Sequence, residues 1–199
     1  MSYIIAPRVS VYPFGSPPPS MEQGWLSLPQ LPPSAAVGVF GDGSHPTTRL
    51  CAGVVDLLCR QRQPQAVLDV GTGTGVLARI ARARGAAFVA ATDIDATALA
   101  VAGANSSLDA QPVEIHVGAE TPDYWGAHFN LVVANILEEP LRQLAPALVR
   151  ALLPGGVLLL SGFMQPQAPA LRVLYENAGL AFVREAHLEE WALLMFERA

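Results

Sequence analysis

The hydrophobic pattern of this chain switches between two periods, and the switches mark its elements. Short, nearly continuous apolar runs occur at Ala66–Val70, Phe88–Thr92, Val113–Val117, Phe129–Ala134 and Val157–Ser161. Runs of this length and composition read as strands, those richest in Val and Leu as strands buried on both faces. Between them apolar residues recur at helical spacing. Leu50, Val54, Leu57 and Leu58 fall at i, i+4, i+7 and i+8 and predict a helix with one core face. Val76–Arg84, stopped by Gly85, and Ala96–Asn105 predict two crossover helices. Leu141–Leu152 predicts another, ended by Pro154-Gly155-Gly156, and Gln165–Ala178 one more, with Gly179 at its C-terminal cap. Two closing strands follow, about Ala181–Ala186 and Trp191–Glu197. This alternation predicts an α/β, Rossmann-like domain with a mostly parallel sheet and helices on both faces.

The junction after the first of these strands carries the chemistry. Gly71, Gly73 and Gly75 follow Asp69-Val70 at alternate positions, where glycine lets the backbone turn sharply and approach a ligand. The spacing G-x-G-x-G differs from the dinucleotide fingerprint G-x-G-x-x-G, because Val76 stands where the third glycine would fall. Asp93 ends the second strand, 22 residues after Gly71, and is placed to accept bonds from both hydroxyls of a ribose. Together these features select an adenosine-like ligand without a pyrophosphate. Asp69, Gly71, Gly73, Gly75 and Asp93 resemble the S-adenosylmethionine site of class I methyltransferases, with Thr72 inside the loop and Ile94 beside the acid as further cofactor residues. An ordinary α/β domain with a glycine turn is the rival reading.

Two other segments belong to the same end of the sheet. Val39 to Thr48 is a glycine-rich loop that runs into a helix start. Free N–H groups and a hydroxyl there suit a carboxylate, although Thr47 or Thr48 as a plain N-cap explains the same residues. His45 reads either as a structural hydrogen-bonding residue or as a proton acceptor. Asn135 ends the fourth strand, beside the point where the sheet reverses its winding, and so is placed for the reacting group, although a turn-forming Asn explains the same position. The loop 118–127 carries Glu120, Asp123, Tyr124 and Trp125, which either border the adenine or are solvated.

Residues 1–36 form an arm distinct from the domain at 37–199. Eight of the 17 prolines fall there, at positions 7, 13, 17, 18, 19, 29, 32 and 33. Proline favours extended and turn geometry, but the segment is too apolar for a free tail. It docks either as a packing strap or as a lid closing over the site with Tyr3, Tyr12, Phe14 or Trp25.

Composition narrows the function. Net charge is −5 and Lys plus Arg number 12, which argues against a nucleic-acid partner. Mean hydropathy is +0.34, yet no apolar run reaches membrane-spanning length and no basic leader opens the chain, so a soluble cytoplasmic protein is expected. Cys51 and Cys59 lie on one predicted helix and read as core or surface thiols. No His or Cys spacing suggests a metal site.

The joint occurrence of Phe40-Gly41-x-Gly43-x-His45-Pro46-Thr47-Thr48, Leu68-Asp69-x-Gly71-x-Gly73-x-Gly75, Asp93-Ile94-Asp95, Val133-Ala134-Asn135-Ile136-Leu137 and Glu190-Trp191 resembles the PrmA family of ribosomal-protein methyltransferases. The resemblance covers roughly residues 37–199. It implies a seven-stranded sheet with an antiparallel last strand. It also implies S-adenosylmethionine held by Thr48 at its carboxylate end, by Gly71 in the loop and by Asp93 at the ribose, with Asn135 between donor and acceptor. The arm is shorter than the substrate-recognition domain of that family, and Asp42 stands where small or uncharged residues are usual. The expected function is methyl transfer to an amine nitrogen of a small molecule, a peptide or a protein. Two alternatives stand beside it: a cyclase in which the cofactor's own amine attacks its γ-carbon, forming azetidine-2-carboxylate and releasing methylthioadenosine, and a non-catalytic cofactor-binding regulatory subunit.

Overall fold

A computed structural model describes residues 3–32, 35, 36, 38–117 and 126–199. Seven strands form one sheet: β4 (Ala66–Val70), β5 (Phe88–Asp93), β6 (Glu114–Val117), β7 (Phe129–Asn135), β8 (Leu152–Met164), β9 (Leu180–Leu188) and β10 (Trp191–Arg198). Their order is β6-β5-β4-β7-β8-β10-β9, and β10 runs antiparallel to both β8 and β9. Both the strand number and the antiparallel last strand match the expectation. The winding reverses between β4 and β7, so the carboxyl ends of these adjacent strands open the crevice where ligands bind in such sheets.

Among the described residues five helices cover the sheet: α1 (Pro46–Arg62), α2 (Val76–Ala83), α3 (Ala96–Ser106), α4 (Glu138–Ala151) and α5 (Ala168–Asn177). Helices α1 and α2 bury Cys51, Val55, Leu77 and Ile80 against Val67, Leu131 and Val133 on one face. On the other, α4 and α5 bury Leu141, Leu148 and Leu171 against Leu68, Val132 and Leu160. Neighbouring residues of each strand thus enter opposite clusters, which is why the strands read as unbroken apolar runs. Among the described residues no helix is long and apolar enough to cross a membrane.

Two expectations are corrected. The buried stripe of α1 is Thr48, Cys51, Ala52, Val55, Leu58 and Cys59, whereas Leu50, Val54 and Leu57 are half-buried at its flank. Small residues face inward because α1 packs closely on α2 and the first strand of the arm. Both cysteines are therefore core thiols, and burial pushes Cys59 up to about 12 and Cys51 higher still. Pro154-Gly155-Gly156 does not separate a helix from a strand. It lies inside β8, where the six residues from Leu152 to Val157 lie opposite the three from Phe129 to Leu131 on β7, a bulge that absorbs the break.

The arm is not irregular: β1 (Tyr3–Ala6), β2 (Val9–Pro13) and β3 (Leu26–Gln30) form a second sheet in the order β1-β2-β3. Prolines conceal it because they sit where ladder donors are least needed, Pro13 at the end of β2 and Pro29 on the edge strand β3. Ile5, Val9, Val11 and Leu28 join the cluster beneath α1 and α2. The buried guanidinium of Arg79 on α2 donates to Asp109 at 2.6 and 2.8 Å and to the Pro29 carbonyl at 2.6 Å, tying the sheet down.

Candidate functional site

The carboxyl ends of β4, β5, β7 and β8 surround a cavity of about 480 Å³, within the range for a small-molecule site. Each wall is set by local backbone geometry. Gly71, Gly73 and Gly75 have positive φ, and Gly75 opens α2 in the left-handed conformation. Gly73 is the most constrained, since a Cβ there would lie 2.2 Å from the Phe40 carbonyl oxygen. Its N–H instead donates to Asp93 Oδ2 at 3.0 Å, while Asp93 Oδ1 accepts from the Asp95 N–H at 3.0 Å. The carboxylate is thus oriented by two backbone donors, with lone pairs left over for a ligand's hydroxyls.

Asp69 and Thr72, expected on the cofactor, lie behind this surface. Asp69 Oδ2 accepts from the Thr72 hydroxyl at 2.7 Å and from the Ala78 N–H at 3.2 Å, joining β4 to α2 under the loop. Burial, aided by nearby Asp93, raises the Asp69 carboxyl to about 6 against the pull of these two hydrogen bonds. Gly75 packs on Ala102 of α3, away from the cavity.

The helix-start loop differs from expectation in register. His45, not a threonine, caps α1: its Nδ1 accepts from the Thr47 N–H at 3.3 Å and lies 2.8 Å from the Thr47 hydroxyl. Pro46 at the first helical position marks the residue before it as the cap, a signal already present in the sequence. With Nδ1 accepting, the neutral ring carries its proton on Nε2 and presents a donor there, so the proton-acceptor role expected of His45 has no free nitrogen. The ring instead packs edge-on between Phe40 and Trp191, at centroid distances of 5.0 and 4.7 Å. Thr47 lines the cavity; Thr48 is buried behind Asn135.

Asn135 reaches the cavity as expected. It is 8% exposed, its Nδ2 donates to Thr48 Oγ1 at 3.5 Å, and its Oδ1 has no partner. An unpaired buried carbonyl is costly, so this acceptor points to a ligand donor. Around it, Ile136 and Leu137 extend the wall and Gly162 closes it, the Ile136 carbonyl occupying the space of a Gly162 side chain. Gly71, Gly73, Asp93, Ile94, His45 and Asn135 therefore meet at one site. Phe40, Ile136 and, within β8, Gly162 also line it, and no periodicity marks these residues. Tyr12, Phe14 and Trp25 do not line the cavity, because the small sheet packs on α1 and α2; Tyr3 pairs with Val11 within it. Of the two roles expected of the arm, this packing is that of a strap, and Tyr12, Phe14 and Trp25 form no lid over the cavity. Glu120, Asp123, Tyr124 and Trp125 fall outside the described residues.

The family model for ribosomal protein L11 methyltransferase (PrmA) matches residues 30–199. A ribosomal protein L11 methyltransferase of Rhodopseudomonas palustris (strain BisB5) is 42% identical over 165 residues, 80% of this chain and 56% of that protein. Its counterpart from Bradyrhizobium diazoefficiens is 40% identical, with the same coverage. The chain thus spans little more than half the length of these curated relatives. Over almost its whole length it superposes on a solved ribosomal protein L11 methylase from Lactobacillus delbrueckii subsp. bulgaricus, with a TM-score of 0.85, 26% identity, and coverage of 99% of this chain and 98% of that one. A TehB-like SAM-dependent methyltransferase from Corynebacterium glutamicum, 17% identical with a TM-score of 0.59, shares the fold. The relatives are named for a protein acceptor, which overturns the expectation of a small-molecule amine, or the cofactor itself, as partner. With a matching family model over most of its length and relatives at 40% identity or more, the chain belongs to the ribosomal protein L11 methyltransferase (PrmA) family.

Proposed function

We propose that this chain transfers a methyl group from S-adenosylmethionine to an amine of a protein, with ribosomal protein L11 as the acceptor to test first. The unpartnered Oδ1 of Asn135 carries this reading. It is a buried acceptor at the carboxyl end of β7, beside the crevice between β4 and β7, where an amine N–H is the complementary group.

The residues present fit the cofactor. Asp93 has acceptor capacity for the ribose hydroxyls, and Ile94, 78% exposed beside it, offers an apolar face to an adenine. The start of α1, which reaches the cavity at Thr47, suits the carboxylate end through the positive end of the helix dipole. When bound, the sulfonium supplies an electrophilic methyl group. The protein's task is then to align a neutral amine and exclude water. Phe40, Ile136, Leu137 and Trp191 surround the acceptor end with apolar surface, which disfavours an ammonium ion, so the amine loses its proton to water on entry. Asn135 Oδ1 accepts one of the two remaining N–H groups and turns the nitrogen lone pair toward the methyl carbon.

Asn135→Ala should lower kcat by about a hundredfold or more while the affinity for S-adenosylhomocysteine stays within a few-fold. The assay is transfer of labelled methyl to purified ribosomal protein L11, followed by mass spectrometry of the acceptor. The chain contains no lysine, so any label on an ε-amine belongs to the acceptor. Turnover retained in Asn135→Ala would remove the amide from the mechanism.

A further inference from the structure

Asn105 ends the helix expected over Ala96–Asn105, and in the fold it joins three segments. It occupies the last turn of α3 and is fully buried. Its Oδ1 accepts from the Leu31 N–H at 2.9 Å, where the chain leaves β3, and its Nδ2 donates to the Thr74 carbonyl at 3.0 Å, within the glycine loop. Thr74 in turn holds the next part of the same connection. Its N–H donates to the Phe40 carbonyl at 2.9 Å and its hydroxyl to the Gly41 carbonyl at 2.5 Å. The chain running from the small sheet to α1 is therefore fastened to Thr74 twice, once through Asn105 and once directly. Between Leu31 and Gly41 it supplies Gly38, Val39 and Phe40 to the cavity wall, and the Phe40 carbonyl fills the space beside Gly73.

We infer that Asn105 is a positioning residue for the cofactor site: with Thr74 it locks the exit of the small sheet to the glycine loop and thereby sets cofactor affinity. The inference rests on the cofactor reading above. The side chain must accept on one atom and donate on another from a single planar group, and only an amide of this length does both. Aspartate would set a carboxylate oxygen against the Thr74 carbonyl, and leucine would leave both backbone groups buried without partners. Asn135 belongs to β7 and shares no hydrogen bond with this relay, and Phe40 keeps its direct bond from the Thr74 N–H when Asn105 is changed, so the chemical step should be spared.

The test is titration calorimetry with S-adenosylhomocysteine, together with steady-state kinetics, on the full chain. Asn105→Asp should raise the Kd, and the KM for S-adenosylmethionine, about tenfold, with kcat within twofold of wild type. Asp109→Asn is the control: it weakens the Arg79 tie to the same sheet without touching Thr74, and should lower Tm while leaving Kd unchanged. Should Asn105→Asp fail to fold, Thr74→Val and Thr74→Ser separate the effects. The valine variant loses the hydroxyl bond to Gly41 and should bind weakly, and the serine variant keeps the hydroxyl and should restore binding. An unchanged Kd in Asn105→Asp or in Thr74→Val overturns the positioning role. A wild-type chain that binds no S-adenosylhomocysteine overturns the cofactor reading itself, a different result from equal binding by wild type and variant.

Discussion

Burial sets the acid–base chemistry of Asp69 apart from that of a carboxylate in water. It is wholly buried, one carboxylate oxygen has no partner, and its pKa rises from 3.8 to about 6. Below pH ~4 both folded and unfolded chains hold the proton, and the group is neutral to stability. As pH rises toward about 6 the unfolded chain releases its proton first, so folding becomes less favourable, by about 3 kcal/mol once both states are ionised. Asp69→Asn has no proton to lose. Its unfolding free energy relative to wild type should therefore climb between pH ~4 and ~6 and level off above, read by urea denaturation at fixed pH values. A difference independent of pH would mean that Asp69 stays hydrated in the folded chain. The sequence marked Asp69 as part of the site from its place before the glycines, and could not reveal that it braces the loop from behind. Asp93 and Asn135 were legible because strand ends and a winding reversal locate them. His45 as a cap was half-legible through Pro46, whereas Phe40, Ile136 and Gly162 depend on which turns meet in space.

At the scale of elements, the pattern failed where proline and glycine sit inside strands instead of between elements. Nothing in the residues 1–36 alternates cleanly enough to announce β1, β2 and β3, and the bulge in β8 hides its first residues behind Pro154-Gly155-Gly156. The central strands and crossover helices were legible because each buries both faces or one broad stripe. The small sheet has a physical role that follows from its packing. Ile5 is 1% exposed and its Cγ2 lies where a Cβ on Gly43 would fall, so β1 fills the underside of the loop leading to α1. Since Ile5, Val9 and Leu28 share one apolar cluster with α1 and α2, the sheet and the main domain should unfold together. Ile5→Ala should cost about 2–5 kcal/mol in a single cooperative transition, with amide exchange accelerated in β2 and β4 alike. A separate early transition confined to β1–β3 would show instead a strap that opens on its own.

At the scale of the whole molecule the acidic balance bears on how an acceptor arrives. The net charge is −5, made of 17 carboxylates against 12 cationic side chains, all of them arginine. A protein amine presented among other lysines approaches as a polycation, although the reacting nitrogen must enter neutral. The field of the molecule therefore acts on the encounter and not on the chemical step. Two acceptor peptides separate these contributions, one with its lysine among neutral residues and one with it among further lysines and arginines. Raising ionic strength from ~0.02 to ~0.2 M shortens the screening length from roughly 20 Å to roughly 7 Å. Over that range kcat/KM for the cationic peptide should fall several-fold, while kcat for both peptides and kcat/KM for the neutral one stay nearly constant. Equal salt dependence for the two peptides would place acceptor selection in the apolar contacts of Phe40, Leu137 and Trp191 rather than in the charge of the protein as a whole.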